Sequence, residues 1–234
     1  MKYLFEVNPN CTIEKIHLKD ESHFVLVLDD FLLQPEEVLH FAEHRAYFNP
    51  VGSDGSYYPG ERDLMPAPYG RELLKFLTPI IAKEYFSGAQ LNTVSPLTKL
   101  SKITLMPDKL NALQRIPHVD SHSQNEFALV HYFCQPKHGG TSMYRHIPSG
   151  TVQVTKNSPE FMRAIAKEAE ESDGHQGYLN GHTSLFEQVA SVEAKFNRLI
   201  LFKGNLLHCA NINSQFSVKE ERLSVASFMY FEPA

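Results

Sequence analysis

Apolar positions in this chain change their period about two-fifths of the way along. Early on, HFVLVLDDFL (23–32) runs leucine and β-branched residues together and stops at an Asp-Asp pair, which predicts a buried strand. Gln34-Pro35-Glu36-Glu37 then places a proline and two acids where a helix would start, favourable for its free N–H groups and dipole. Val38, Leu39 and Phe41 begin that helix, which is expected to end near Tyr47. Residues 49–70 are rich in Gly, Pro and Tyr without periodicity and read as a loop. An irregular segment of that length is more often functional or edge-covering than accidental. From Arg71 to Phe86 the period is helical, with Leu73, Leu74, Leu77, Ile80 and Ile81 on one side.

From about Lys99 the pattern turns to strands. SKITLMP and EFALVHYFCQ read as strands around the polar turn HVDSHSQN. In KHGGTSMYRH the glycine pair permits a tight bend or a close backbone approach. Ser158 to Glu171 reads as a helix with Ser158 as N-cap, Pro159 at its first position, and Phe161, Ile165 and Ala169 on one side. FEQVASVEA (186–194), FNRLILF (196–202), LLHCANI (206–212) and RLSVASFMYF (222–231) follow as strands, with a KGN turn after the second. The order predicts an α+β fold, mostly β: an antiparallel sandwich or jelly roll with helices packed on one face. It reads as one domain, with an α/β support over residues 1–98 and a β core over 99–234 that carries a helical insertion at about 147–185.

Composition narrows the function classes. The chain has 234 residues, 42% hydrophobic and 21% charged, the profile of a globular protein that can bury a core. A net charge of −5 and a pI near 6.2 argue against a nucleic-acid partner, which calls for a basic surplus. No apolar run approaches a membrane span, and MKYLFEVNPNCTIEK lacks the features of a secretory leader. Three cysteines (Cys11, Cys134, Cys209) without CxxC spacing suit free thiols in a reducing compartment, so a cytoplasmic location is expected.

Eight of the twelve histidines fall between residues 118 and 208. RIPHVDSH (115–122) holds two of them beside an aspartate, and alone it reads equally as a polar turn or as part of a metal site. In an extended segment His118 and Asp120 point to the same side and can converge on one ion. A 2-His-1-carboxylate set leaves coordination positions open and suits non-haem iron oxygenases. The second histidine must come from another strand, and His208 in GNLLHCANI lies just after a turn. Arg222 and Ser224 then share a face of the next strand, where a guanidinium fork and a hydroxyl can hold a carboxylate.

With PHVD, ALVHYF followed by GGT, FNRLILFKGNLLH and RLSVASFMYF, the region from Lys99 to Phe231 resembles the iron(II)/2-oxoglutarate-dependent dioxygenases, in style the prolyl-hydroxylase-like branch. It is also similar to bacterial proteins of that superfamily carrying PHVDS, GGTxxYRH and NRLxLxxGNLLH, and the opening DDFLxxPEEV fits the same group. The resemblance implies a double-stranded β-helix in which His118, Asp120 and His208 ligate Fe(II). Arg222, with Ser224 and Tyr132, would take the distal carboxylate of 2-oxoglutarate, and Asn197-Arg198-Leu199 would be structural. It implies that O₂ and 2-oxoglutarate are consumed, that a C–H bond of a small molecule or amino acid is hydroxylated, and that succinate and CO₂ are released.

The chain departs from that pattern twice. The interval from His208 to Arg222 is long, so CANINSQFSVKEE must bulge, and the insertion after GGT carries no function that can be transferred. Tyr144, Arg145 and His146 read equally as substrate contacts at the mouth or as exposed surface, and Arg62, Tyr57 and Tyr58 as lid residues or plain loop. His122 reads as a solvated loop histidine and His131 as a packed one. The competing functions are a peptide hydroxylase of the prolyl type with an open groove, a non-catalytic jelly-roll binding module, and a zinc hydrolase. The last would leave Arg222 and Ser224 unexplained. Halogenation is disfavoured because Asp120 occupies the carboxylate position. A homodimer is left open.

Overall fold

The computed structural model describes residues 5–19, 22–156, 158–172, 175–212 and 222–234. It is mostly β, with three α-helices and two antiparallel sheets. The strands are β1 (Thr12–His17), β2 (Phe24–Asp29), β3 (Gly60–Leu64), β4 (Leu91–Thr93), β5 (Leu97–Ile103), β6 (Glu126–Tyr132), β7 (Gly140–His146), β8 (Phe186–Glu193), β9 (Arg198–Lys203), β10 (His208–Asn211) and β11 (Leu223–Pro233). The helices are α1 (Glu36–His44), α2 (Ala67–Tyr85) and α3 (Ser158–Ser172). The large sheet runs β1-β2-β9-β6-β11-β5-β3, with β4 paired to β11, and the small sheet runs β10-β7-β8. This arrangement is consistent with the expected antiparallel sandwich or jelly roll. No helix among the described residues is long and apolar enough to cross a membrane.

Period-two alternation builds the layers. On β9, Leu199 and Leu201 face α2, where they meet Leu73, Leu77 and Ile81. Ile200 and Phe202 face the other way, against Met143, Val189 and Val192 of the small sheet. Strand β2 divides likewise, Leu26 and Leu28 to the helices and Val25 and Val27 to the small sheet. All eight are nearly or fully inaccessible. A leucine or isoleucine so placed contributes about 1.5–3 kcal/mol through burial.

The expectation that all helices lie on one face is corrected. Helices α1 and α2 cover the outer face of the large sheet, whereas α3 packs Ile165 and Ala166 on Tyr144, Phe186 and Leu207 of the small one. Alternation leaves that second outer face apolar too, and α3 keeps it from water. Helix α3 includes Ser158 as its first residue, so Ser158 is not its cap. Helix α1 keeps the expected acids in its first turn but ends at His44, short of Tyr47.

Residues 49–70 are also more ordered than a loop. They contain β3 and the first turn of α2, which starts at Ala67 with Pro68 where no N–H is needed. Strand β3 is an edge strand reading GERDL, and its charges hide it from an apolar-periodicity reading while protecting the edge. Strand β1, the other edge, was masked in the same way by TIEKIH. The glycine pair is used for close approach. A Cβ on Gly139 (φ +98°) would lie 1.5 Å from the Asn211 carbonyl oxygen, and one on Gly140 would lie 2.0 Å from that of Val192. The segment 213–221, with most of the expected bulge after His208, lies outside the described residues.

Candidate metal centre and its cavity

Two backbone segments meet edge to edge to hold the three candidate ligands. His118 and His208 form a hydrogen-bonded antiparallel pair, each amide donating to the other's carbonyl over 2.8 Å. Residues so opposed share a face, and their ring centroids stand 4.4 Å apart. Two residues on, the Asp120 amide donates to the Gly204 carbonyl at 2.8 Å, in the turn leading to β10. The His208 Nε2 is 3.2 Å from Asp120 Oδ2, and the His118 Nε2 is 3.7 Å from Asp120 Oδ1. All three ligand atoms lie within 4.8 Å of one another. Donors about 2.1 Å from one ion at right angles would stand about 3 Å apart, so the set fits a divalent ion after small side-chain adjustments.

Protonation states favour the same use. His208 Nδ1 lies 2.9 Å from the Leu206 carbonyl, which can only accept. A proton therefore sits on Nδ1, and Nε2, directed at Asp120 and the cavity, is the atom that would reach a metal once the proton it shares with Asp120 is displaced. Burial pushes the His118 imidazole down to about 4, and His208 beside it acts in the same direction. Burial opposes the Asp120 charge, yet His208 and His118 hold its carboxyl below the usual range. At His208, burial works against protonation, but the Asp120 carboxylate outweighs it and raises the imidazole. Metal binding would displace the proton shared by that pair. His118 keeps 47% of its side-chain surface because it forms part of a cavity wall.

That cavity, of about 850 Å³, lies against the inner face of the large sheet. Strand register sets a row across it: Arg62 on β3 pairs with Ser101 on β5, Ser101 with Ser224 on β11, and Ser224 with Tyr132 on β6. Arg222, two residues before Ser224, is 2% exposed. It donates from Nη2 to the Gly140 carbonyl at 2.8 Å and sits 5.6 Å from the Tyr132 ring centre. Its Nε is buried with no hydrogen-bond partner among the described residues. The Tyr132 hydroxyl pairs with Thr141 Oγ1 at 2.6 Å, and burial pushes it up to about 12, so it stays protonated. The Tyr58 hydroxyl is likewise buried, beside Ser224, Arg222 and Arg62.

A family model described as "Family of unknown function (DUF6445)" matches residues 9–229. The chain belongs to DUF6445. No curated protein matches it. Among solved structures, this DUF6445 chain is similar to HygX from Streptomyces hygroscopicus with nickel, 2-oxoglutarate and hygromycin B bound, at 13% identity and a TM-score of 0.47 over 90% of this chain and 84% of that one. A prolyl 4-hydroxylase from Phytophthora capsici gives 12% and 0.46 over 88% of this chain, which spans only 58% of that enzyme. An N-substituted L-amino acid dioxygenase from Burkholderia ambifaria AMMD gives 10% and 0.43 over 97% and 95%. At such scores the likeness carries no argument about function, which rests on the site.

The DUF6445 chain thus brings His118, Asp120, His208, Arg222 and Ser224 to one cavity, with Tyr132 behind Arg222 and Thr141. It does not bring Tyr144, Arg145 or His146 there, which corrects the reading of them as substrate contacts at the mouth. Tyr144 is fully buried in the cluster with α3. Arg145 is ion-paired with Glu187, and His146 pairs with Ser149 at 2.8 Å and Glu168 at 3.2 Å. Alternation explains the pair at 144 and 146: Thr141 and Met143 face inward, so Tyr144 and His146 face α3. His122 is exposed. His131 faces the helices, bonded to the Tyr69 hydroxyl at 2.9 Å and to Asn197 Oδ1 at 3.1 Å. Tyr58, Arg62 and Lys99 line the cavity, and sequence reasoning missed Lys99 and left the other two as lid or loop. The available signal was parity on β3 and β5 counted back from Ser224.

Proposed function

We propose that this chain is an iron(II)- and 2-oxoglutarate-dependent oxygenase that hydroxylates a C–H bond of a small molecule or amino acid. The reading assigns a double-stranded β-helix as its catalytic core and the whole chain as one oxygenase unit. One observation carries it: a histidine-aspartate-histidine set, with Nε2 of His208 directed at Asp120 and the cavity, that opens on the same cavity as a buried arginine whose Nε has no hydrogen-bond partner among the described residues.

His118, Asp120 and His208 would hold the iron. Bound with 2-oxoglutarate and O₂, iron supplies the oxidising chemistry that turns the cosubstrate into succinate and CO₂ and inserts oxygen into a C–H bond. The chain's part is binding and orientation. Arg222 offers Nε to the distal carboxylate of the cosubstrate, while its bond to Gly140 and its contact with Tyr132 fix the fork. Ser224 and the buried Tyr58 hydroxyl stand beside it as further donors. Phe202, 4.7 Å from the His208 ring centre, keeps water from the back of the ligand set.

Anaerobic titration with iron(II) and 2-oxoglutarate tests the assignment through the visible metal-to-ligand charge-transfer band. Wild type is expected to develop the band and His208→Ala to lose it. Arg222→Ala should weaken 2-oxoglutarate binding roughly tenfold to a hundredfold while retaining iron, the loss of one charge-assisted bond. A wild-type protein without the band refutes the reading, and equal loss of iron and cosubstrate in Arg222→Ala makes the arginine structural.

A further inference from the structure

Arg62, at the β3 end of the cross-strand row, is a buried cation with little to neutralise it. Its side chain is 14% exposed, and its guanidinium lies over the Tyr58 ring, 4.0 Å from the ring centre. Nη1 is 3.2 Å from Ser56 Oγ and a loose 3.5 Å from Asp54 Oδ2. The same Asp54 oxygen is in a closer ion pair with Lys99, so two cations divide one carboxylate. Arg62 Nε has no hydrogen-bond partner among the described residues. A buried guanidinium N–H left unsatisfied is costly, and an anion is what would satisfy it.

The rest of the cavity says what kind of anion. Four cationic side chains line it (Arg62, Lys99, Arg163 and Arg222) against two carboxylates, Asp120 and Glu126, in a chain whose net charge is −5. Arg222 is matched to the cosubstrate in the reading above, which leaves Arg62 free for another ligand. The remaining wall is largely apolar, including Ile103, Leu113, Ile116 and Phe228. At the mouth, Tyr57, Val94 and Leu97 are 62%, 61% and 46% exposed, an apolar rim among the described residues.

We propose that the cavity takes an amphipathic carboxylate as substrate, with its anionic head on Arg62 and its apolar body along the wall towards Tyr57, Val94 and Leu97. This deepens the oxygenase reading and rests on it for what happens to the ligand, whereas the binding site stands on Arg62 and the walls. Arg62 lines the same cavity as His118 and Asp120, so a ligand anchored there shares that cavity with the candidate metal ligands.

The test compares octanoate, octan-1-ol and octylamine by calorimetry, on metal-free protein and on protein loaded anaerobically with iron(II) and 2-oxoglutarate. Loaded wild type should bind octanoate roughly tenfold to a hundredfold more tightly than octan-1-ol, as one charge-assisted bond to a buried guanidinium gives, and octylamine worst. Arg62→Gln should erase that preference and Arg62→Lys should restore part of it. No preference for octanoate over octan-1-ol in wild type, or no binding of either, overturns the proposal without need of any variant. So does an Arg62→Gln protein that keeps the preference and loses 2-oxoglutarate affinity instead, since Arg62 would then belong to the cosubstrate. A wild type that keeps the octanoate preference but never forms the charge-transfer band supports this site and refutes the oxygenase reading.

Discussion

Asn197 sits at φ +63°, in the left-handed region, and clips three parts of the fold together. Its Oδ1 accepts from the buried Leu32 amide at 2.9 Å and meets His131 Nε2 at 3.1 Å, while its Nδ2 donates to the Leu32 carbonyl at 2.9 Å. Asn197→Ala removes all three bonds, strands a buried amide and carbonyl, and puts a Cβ-bearing residue without a local polar group at positive φ. Stranded buried polar groups cost about 1–3 kcal/mol each and the left-handed backbone about 1, so a loss of roughly 3–7 kcal/mol is expected. Against the 5–15 kcal/mol typical of a domain, that is a large fraction. Asn197→Gly loses the same bonds but relaxes the backbone and should recover about 1 kcal/mol of it. Urea unfolding followed by circular dichroism reads both as midpoint shifts at constant slope. A loss under about 1 kcal/mol in Asn197→Ala would refute the hydrogen-bond argument. Glycine no better than alanine would refute the backbone one.

Three further outcomes are expected. Gly139→Ala, whose Cβ would lie 1.5 Å from the Asn211 carbonyl oxygen, should force β7 and β10 apart and lower the urea midpoint severely, and a near-neutral effect would mean that the close approach is not real. Burial holds the His131 imidazole down to about 3, against 6.5 for a free one, so the unfolded chain takes up a proton first as pH falls. Its contribution is therefore full above about 6.5 and fades towards 3, and His131→Phe should flatten that part of the pH–stability curve relative to wild type, whereas an unchanged slope would refute it. Arg145→Ala, at a side chain paired to Glu187 outside the cavity, should leave the 2-oxoglutarate titration where it was, and a shifted midpoint would return Arg145 to the site.

What was legible in the sequence follows from where each residue sits in the layers. Strands β2, β6, β9 and β11 are covered on both faces or nearly so, and their apolar runs announced them with small errors at the ends. His118, Asp120, His208 and Arg222 could be grouped because spacing along extended chain maps simply onto one side. Strand β3 could not be read, because an edge strand with GERDL needs its charges for the edge and the cavity. Arg62 was lost with it, since its place depends on the pairing of β3 with β5, a partnership no local pattern reveals. Tyr144 and His146 failed for the opposite reason: their proximity in sequence to GGT outweighed the parity that turns them towards α3.

The paired peptides of His118 and His208 have a consequence for how an ion and this fold depend on each other. In a zinc finger the metal is the scaffold, and chelation unfolds the chain. Here backbone hydrogen bonds between two segments hold the histidines in place, so on the proposed reading an ion would be a guest in a finished socket. Stripping it should silence the protein while leaving it folded. A socket already built also discriminates weakly among divalent ions of similar size, and their order of affinity reverts to the intrinsic one, in which iron stands below nickel, copper and zinc. The metal recovered with the purified protein will then report what the surroundings offered as much as what the site prefers.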